Sequence, residues 1–397
     1  MSEHQYYEFQ AVDRPLSGRE MADLRTLSSR ATITSTRLVN VYNWGAFRGN
    51  PAALMETLFD AFVYTANWGT RQLMLRLPRR LLDLPTATRY CAGDDAQARA
   101  AGDYIIVEYL SEQEPDDEVD DDEGWMPALL PLRAELADGD LRGLYLGWLL
   151  CAQSGALDDA AVEPPPPPGL ATPSASQQAL ADFLRLNDDL LAVAAEHSPL
   201  RDETHPSRQA LERWLGGLAE SEKTALLLRL VEGGDPHLRS ALLQRFRAAT
   251  RATAEPDREG GGETGRRTVG QLLADAEQRA DARRRAEAER AAREQARRAR
   301  ERAAARAERL AHLAAHEAEA WQRVDALIAT KRPADYDEAV RLLVDLRDLH
   351  AQSGRSAAFA TRLGELREQH ARKPSFVQQL DRAGLGAQTG KAMRNER

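Results

Sequence analysis

Only two cysteines, Cys91 and Cys151, occur in 397 residues. Two thiols so far apart in sequence cannot form a disulfide framework, and they cannot supply a zinc knuckle. Lysine is nearly missing as well: 49 of the 53 basic residues are arginine. With the abundant alanine this has the mark of a G+C-rich bacterial coding bias, so arginine here stands in for ordinary surface lysine and is a weak sign of phosphate binding. No uncharged apolar run is long enough to span a bilayer; residues 144–152 come closest and fall short. The first ten residues, MSEHQYYEFQ, lack the basic and apolar regions of a secretory signal. A soluble cytoplasmic protein is therefore expected. No phosphate-cradling loop follows a strand, since Gly260-Gly261-Gly262 is not followed by Lys-Ser/Thr, and no Gly-x-Ser-x-Gly elbow is present. No cofactor and no catalytic residue is assigned, although a site assembled from scattered residues would escape such motifs.

The longest stretch without a helix breaker organises the rest. From 268 to 328 the chain contains no proline, and no glycine after Gly270. Its Ala/Arg/Glu composition predicts one helix of about 60 residues and about 90 Å. Asp275–Arg279, Asp281–Arg285, Glu289–Arg293 and Glu294–Arg298 stand at i,i+4 with the acid first, each adding a few tenths of a kcal/mol. The stripe Ala288, Ala292, Ala296, Ala299, Ala303, Leu310, Leu313 is mostly alanine, so a coiled-coil seam along it would be weak. Larger residues, Leu310, Leu313, Trp321, Val324, Leu327 and Ile328, gather at its end, which predicts an arm rooted in the C-terminal domain.

Charge is unevenly placed within a net of -9. Residues 266–310 carry 14 Arg against 8 acids, while 112–123 carry nine acids and no base. The acidic run lacks the alternation of a calcium loop and reads as a solvated loop, or as a polyanion mimic that docks on the basic arm.

The expected fold class is α+β: a small N-terminal α/β sandwich, an all-α domain, the long helix as a projecting arm or coiled coil, and C-terminal helical hairpins. The domain boundaries follow composition. Residues 1–162 form the N-terminal domain with the acidic loop 112–123, and 163–175 form a proline-rich spacer. Residues 176–251 are helical by period, 252–267 are a hinge, 268–328 the arm and 329–397 a helical-repeat-like tail. Strands are expected at 6–12, 31–42, 72–77 and 103–110, with helices from Ser17 and Asn50-Pro51, the latter running through Leu54, Leu58, Phe59 and Phe62. That order suggests a split βαβ arrangement. Ser17 with Glu20 has capping-box spacing, and Ser221, Asp335 and Ser375 are further expected caps.

Sixteen of the 23 aromatic residues lie in the first 150 positions. Two copies of Asn-Trp-Gly, 43–45 and 67–69, place Trp44 and Trp68 in turns. The tryptophans either cover the edge of the core or form a surface that stacks on a base or binds a peptide. Arg71, Arg76, Arg79 and Arg80 follow the second copy and could meet phosphates, although Arg71 and Arg76 belong to opposite faces of one strand. Trp321, Tyr336, Phe359 and Phe376 are candidate partner-docking residues in the tail. His312 and His316 share a helical face, but Leu313 stands where a metalloprotease needs glutamate, so no metal site is assigned.

The passages YYEFQAVDRPL (6–16), NWGTRQLMLRLPRRLLD (67–83) and RKPSFVQQLDRAGL (372–385) resemble a family of bacterial proteins with the same layout and no assigned activity. Residues 335–385 are also similar to the helical tail of bacterial proteins carrying a SWIM-type zinc finger. That resemblance implies a shared docking partner or pathway; the finger's Cys and His cluster is missing here. The expected function is a non-enzymatic scaffold linking an α/β recognition domain to a helical docking domain through a long helix. It would take a protein partner, need no membrane and self-associate through the helix. The alternative is a nucleic-acid-binding accessory protein that uses the arginines at 71–80 and the basic arm.

Overall fold

A computed structural model describes residues 3–113, 124–201, 207–233, 235–253 and 266–386. The chain separates into two compact units, 1–283 and 284–397. The architecture is α+β; among the described residues all strands lie before residue 113, and the elements beyond are helices.

Seven strands, β1 (Gln5–Gln10), β2 (Thr32–Ile33), β3 (Arg37–Tyr42), β4 (Ala61–Ala66), β5 (Thr70–Pro78), β6 (Ala96–Ala101) and β7 (Tyr104–Glu112), make one sheet in the order β2-β3-β1-β4-β5-β7-β6. Every pairing is antiparallel, so the expected split βαβ unit is not formed. The helix expected through Phe62 stops early: α2 (Pro51–Thr57), which follows α1 (Gly18–Leu27), ends at Thr57, and Ala61–Ala66 enters the sheet between β1 and β5. The spacing of Leu54, Leu58 and Phe62 imitates a helix, but the aromatic and β-branched run at 62–65 gains more from pairing across β1.

Both faces of the sheet are covered, which is why β5 reads as nearly continuous apolar sequence. Met74 joins Phe9, Leu24, Met55, Phe59 and Phe62 beneath α1 and α2. Leu73, Leu75 and Leu77 face the larger core. That core is built with α3 (Leu84–Tyr90), α4 (Met126–Leu129), α5 (Pro131–Ala137), α6 (Arg142–Ser154), α7 (Ala175–Phe183) and α8 (Asp188–Glu196).

The proline run is therefore not a spacer between domains. Pro164 and Pro167 are buried, Tyr90 donates its hydroxyl hydrogen to the Pro165 carbonyl at 3.0 Å, and Ser198 donates to the Pro167 carbonyl at 2.6 Å. Its prolines have no amide hydrogens to satisfy, so the segment packs on the body without losing backbone hydrogen bonds. Helices α9 (Arg208–Gly216), α10 (Glu220–Glu232) and α11 (Leu238–Thr253) follow, tied to the body largely by polar contacts. These include Arg80–Asp235 at 2.7 Å, Ser240 to Asp138 at 2.6 Å, and Gln244 to the Leu81 and Ala137 carbonyls at 2.9 and 2.6 Å. Most of the expected hinge at 252–267 lies outside the described residues.

The long helix, α12 (Val269–Ala315), has anchors at both ends rather than at one. Val269, Leu272 and Ala276 are buried in the core of the first unit, and Leu310 and Leu313 in that of the second. Of the expected intrahelical pairs, Glu289–Arg293 and Glu294–Arg298 form, while Arg279 turns to Glu196 of α8 at 3.1 Å. The helix stops at His316, whose amide bonds the Leu313 carbonyl, and α13 (Glu317–Ala329) follows; no proline or glycine marks this break.

The second unit adds α14 (Pro333–Gln352), α15 (Ser356–Gln369) and α16 (Pro374–Arg382) around a single core. The Ser17–Glu20 capping box is present. Ser221, Asp335 and Ser375 lie inside helices that begin at Glu220, Pro333 and Pro374; in the latter two, proline at the first position needs no amide donor.

Candidate interaction surface at one end of the sheet

Antiparallel register brings the end of β3, the start of β1, the end of β4 and the start of β5 together: Gln5 is opposite both Tyr42 and Ala66, and Thr65 is opposite Arg71. The two Asn-Trp-Gly segments are the turns that leave this end. Gly45 and Gly69 have φ of 85° and 104°, a backbone region that residues with a Cβ adopt at a penalty, which accounts for the third residue of each segment.

His4 joins the two turns. Its amide donates to Asn67 Oδ1 at 3.0 Å, its Nδ1 lies 3.0 Å from Asn43 Oδ1, and the Asn67 amide returns a bond to the His4 carbonyl at 3.0 Å. Gln5 Nε2 donates to the Gly45 carbonyl at 2.8 Å, and Arg185 donates to the Gly69 carbonyl at 3.1 Å. The asparagines thus hold the turns, and the tryptophans are left outward. Trp44 is 70% exposed and Trp68 47%, so neither covers the core edge. Trp68 donates its indole hydrogen to Thr70 Oγ1 at 3.0 Å, which fixes the ring's polar edge within its own turn. Strands β3 and β4 flank β1, so two strand spacings, about 10 Å, separate the turns.

The four arginines do not form a phosphate-binding patch. Arg71, 2% exposed, donates to the Asp182 and Phe183 carbonyls at 3.3 Å and lies over the Trp125 ring. Arg76, on the other face, pairs with buried Asp60 at 2.9 Å and lies over the Tyr104 ring. Arg79 and Arg80 are exposed, and Arg80 is paired with Asp235. Alternation along β5 directs Arg71 and Arg76 into opposite layers, and both layers are filled.

The proposed docking aromatics of the tail are likewise internal. Trp321, Tyr336, Phe359 and Phe376 are at most 4% exposed and form the core of the second unit. Arg362 covers the Trp321 ring at 4.2 Å. They stabilise the unit and present nothing to a partner.

An outward apolar face on α10 was not legible in advance. Leu227, Leu228, Leu230 and Val231 are 55–82% exposed on a helix whose leucines read as a packing stripe. A cavity of about 230 Å³ opens between α6, α7 and α8, but the hydrogen-bonding groups of Arg142 and Gln177 on its wall are engaged with Asp140, Glu135 and nearby carbonyls.

Burial pushes the Cys91 and Cys151 thiols up to about 12 and about 11, which leaves little thiolate at neutral pH. The His312 and His316 rings stack at 4.6 Å, and among the described residues no three ligands could hold a metal. Residues 114–123, most of the acidic loop, lie outside the described residues.

One ionic cluster joins the first strand's exit to α5 and the start of α11. Asp13 accepts from Arg133 at 2.7 Å and lies 2.7 Å from His237 Nε2. Burial alone would raise its carboxyl, but His237 and Arg133 hold it down to about 2. A depressed carboxyl stabilises the fold above its ordinary value of 3.8 and loses that contribution as pH falls toward 2. We expect roughly 2 kcal/mol to disappear over that interval in denaturant titrations. Asp13→Asn should be less stable at neutral pH and lack most of this acid dependence; an unchanged profile would remove Asp13 from the coupling.

No family model matches the chain, and no curated protein or solved structure matches it.

Proposed function

We propose that this chain is a non-enzymatic interaction protein whose recognition surface is the paired Asn-Trp-Gly end of the first unit. One observation carries the reading: a largely exposed indole, Trp44, and a half-exposed one, Trp68, stand on turns cross-tied by His4, where hydrogen bonding fixes the backbone and leaves the rings outward. Exposed tryptophans on a prepared backbone bury large area on contact with little loss of freedom, the property that makes tryptophan an interface anchor. Helix α12 and the second unit supply a separate helical body, in keeping with an adaptor that joins two binding functions. Among the described residues no helix is long and apolar enough to cross a membrane.

The nucleic-acid reading loses Arg71 and Arg76 to the interior and rests on α12. Residues 284–309 are exposed apart from partly buried Glu294, and they hold ten arginines against five acids.

Capture of tagged full-length protein from its host, with and without nuclease, tests both readings. The first expects a protein partner that survives nuclease and is lost with Trp44→Ala/Trp68→Ala. Each indole should contribute roughly 30-fold in affinity, with little change in thermal stability. Retention of every partner by the double variant would sink this reading. Recovery of nucleic acid alone, weakening steeply with salt, would favour the second.

A further inference from the structure

We propose that the cavity between α6, α7 and α8 is a binding site for a small hydrocarbon ligand of roughly nine non-hydrogen atoms, uncharged or cationic at its end. It belongs to the first unit and is a different site from the indole surface.

Size and wall set the class of ligand. The cavity holds about 230 Å³, whereas an apolar cavity of roughly 150 Å³ already takes up benzene, so this one suits a molecule half as large again. Leu146 and Leu149 of α6, Ala181 of α7, Leu191 and Ala195 of α8, and Leu170 from the segment before α7 supply its apolar wall. Leu191, Ala192 and Ala195 are partly exposed and Asp188 is exposed, which puts the mouth along α8.

The polar side chains that reach the wall are already committed. Arg142, 2% exposed, donates from Nε and Nη2 to Asp140 at 3.0 and 2.7 Å, and from Nη1 to the Gly169 and Thr172 carbonyls, each at 2.9 Å. Gln177 donates to Glu135 at 2.8 Å and accepts from the Ser174 amide at 3.1 Å, and Gln178 donates to Asp182 at 2.9 Å. A polar headgroup pushed inward would have to compete with these bonds after losing its own water. Hydrocarbon meets no such cost, and it supplies the contacts that the lining of an empty space lacks.

The mouth adds a sign. Arg142 and Arg201 lie against Asp140 at 2.7 and 3.1 Å, and Gln177 links Asp140 to Glu135 at 3.2 and 2.8 Å. Two cations are thus matched by two carboxylates within one network. Asp188, in the first turn of α8, lines the cavity outside that network and makes no ion pair among the described residues. A ligand end left at the mouth therefore meets an uncompensated carboxylate, which suits an alcohol or an amine and opposes an acid.

Calorimetric titration and thermal melts of the full chain at neutral pH, with 1-octanol, octylamine and octanoate as ligands of one chain length, test this. Octanol and octylamine should each bind one-to-one and raise the melting temperature, and octanoate should bind at least roughly tenfold more weakly. Methyl resonances of Leu146, Leu149 and Leu191 should shift as octanol saturates the wild type, a readout that needs no variant. Ala192→Phe and Ala195→Phe, which fill the space from partly exposed positions, should each weaken octanol binding by at least roughly tenfold, with circular dichroism checking the fold. Asp188→Asn should bring octanoate to within roughly threefold of octylamine and leave octanol unchanged. Octanol that fails to saturate, saturation without movement of those methyls, full affinity in both folded phenylalanine variants, octanoate binding as tightly as octanol, or an unchanged gap in Asp188→Asn would each overturn the proposal. The methyl shifts also separate this site from the exposed leucines of α10, which octanol would coat without moving them.

Discussion

Glu163→Ala is expected to destabilise the first unit by about 3–5 kcal/mol, the usual consequence of leaving a buried charge without its partner. Glu163 is 4% exposed and Arg267 8%. Arg267 donates to the Glu163 carboxylate from Nε at 2.9 Å and from Nη2 at 3.0 Å, and to the Val193 carbonyl at 3.0 Å. The Tyr145 hydroxyl donates to the same carboxylate. The backbone runs alongside: the Glu163 amide bonds the Arg267 carbonyl at 2.9 Å, Val162 bridges Thr268, and the Val269 amide bonds the Ala161 carbonyl at 2.9 Å. This pair fastens the start of α12 to the segment entering the proline run. Truncating the acid leaves Arg267 charged in a dry site and Tyr145 without its acceptor. Glu163→Gln keeps an acceptor and should be milder. A joint Glu163→Leu/Arg267→Met replacement should be less damaging than Glu163→Ala, since neither charge remains to be desolvated. Urea unfolding midpoints decide the matter; a loss below about 1 kcal/mol in Glu163→Ala would mean the site is wetter than its geometry implies.

The second large effect lies in α6, where two glycines should respond with opposite signs. A Cβ on Gly147 would lie 2.8 Å from Tyr109 Cδ1 and 3.2 Å from the Ala96 Cβ. Tyr109 is fully buried and its hydroxyl donates to the Gly143 carbonyl at 3.1 Å, so the ring cannot withdraw without breaking that bond. Alanine improves helix propensity by about 1 kcal/mol, but the overpacking term of about 1–3 kcal/mol should win, and Gly147→Leu should be worse. At Gly143 the nearest atom to a new Cβ is Leu132 Cδ2 at 3.6 Å, an ordinary contact. There Gly143→Ala should be neutral or stabilising by up to about 1 kcal/mol. Thermal melts of the two alanine variants give the comparison; destabilisation of both alike would show that α6 does not approach β7 through Gly147.

Local signals were legible where local energy decides. The Ser17–Glu20 box, the proline start after Asn50 and the α12 helix all follow from residues that touch their sequence neighbours. Strand β6, AQARAA, was hidden because its residues favour a helix, and only pairing along β7 makes it a strand. Burial of Arg71 and Arg76 was illegible for a related reason: alternation shows that they part company, but the carbonyls and carboxylate that neutralise them come from residues 56, 60, 182 and 183. The Asn-Trp-Gly turns were visible as turns. Their joining through His4 and the exposure of both rings depend on strand order, which composition does not encode.

The placement of Val269, Leu272 and Ala276 in the same core as Val63, Leu73 and Leu75 bears on synthesis. At about 5–20 residues per second, the roughly 200 residues between Leu73 and Leu272 take on the order of 10–40 s to emerge from a ribosome. During that interval the sheet can pair its strands and α3–α8 can pack on it, because they are early, but the places of Val269, Leu272 and Ala276 in that layer stay unfilled. Completion of the first unit is thus timed by the start of the helix that leads out of it, and until then a nascent chain presents to chaperones the apolar gap that Val269, Leu272 and Ala276 later fill.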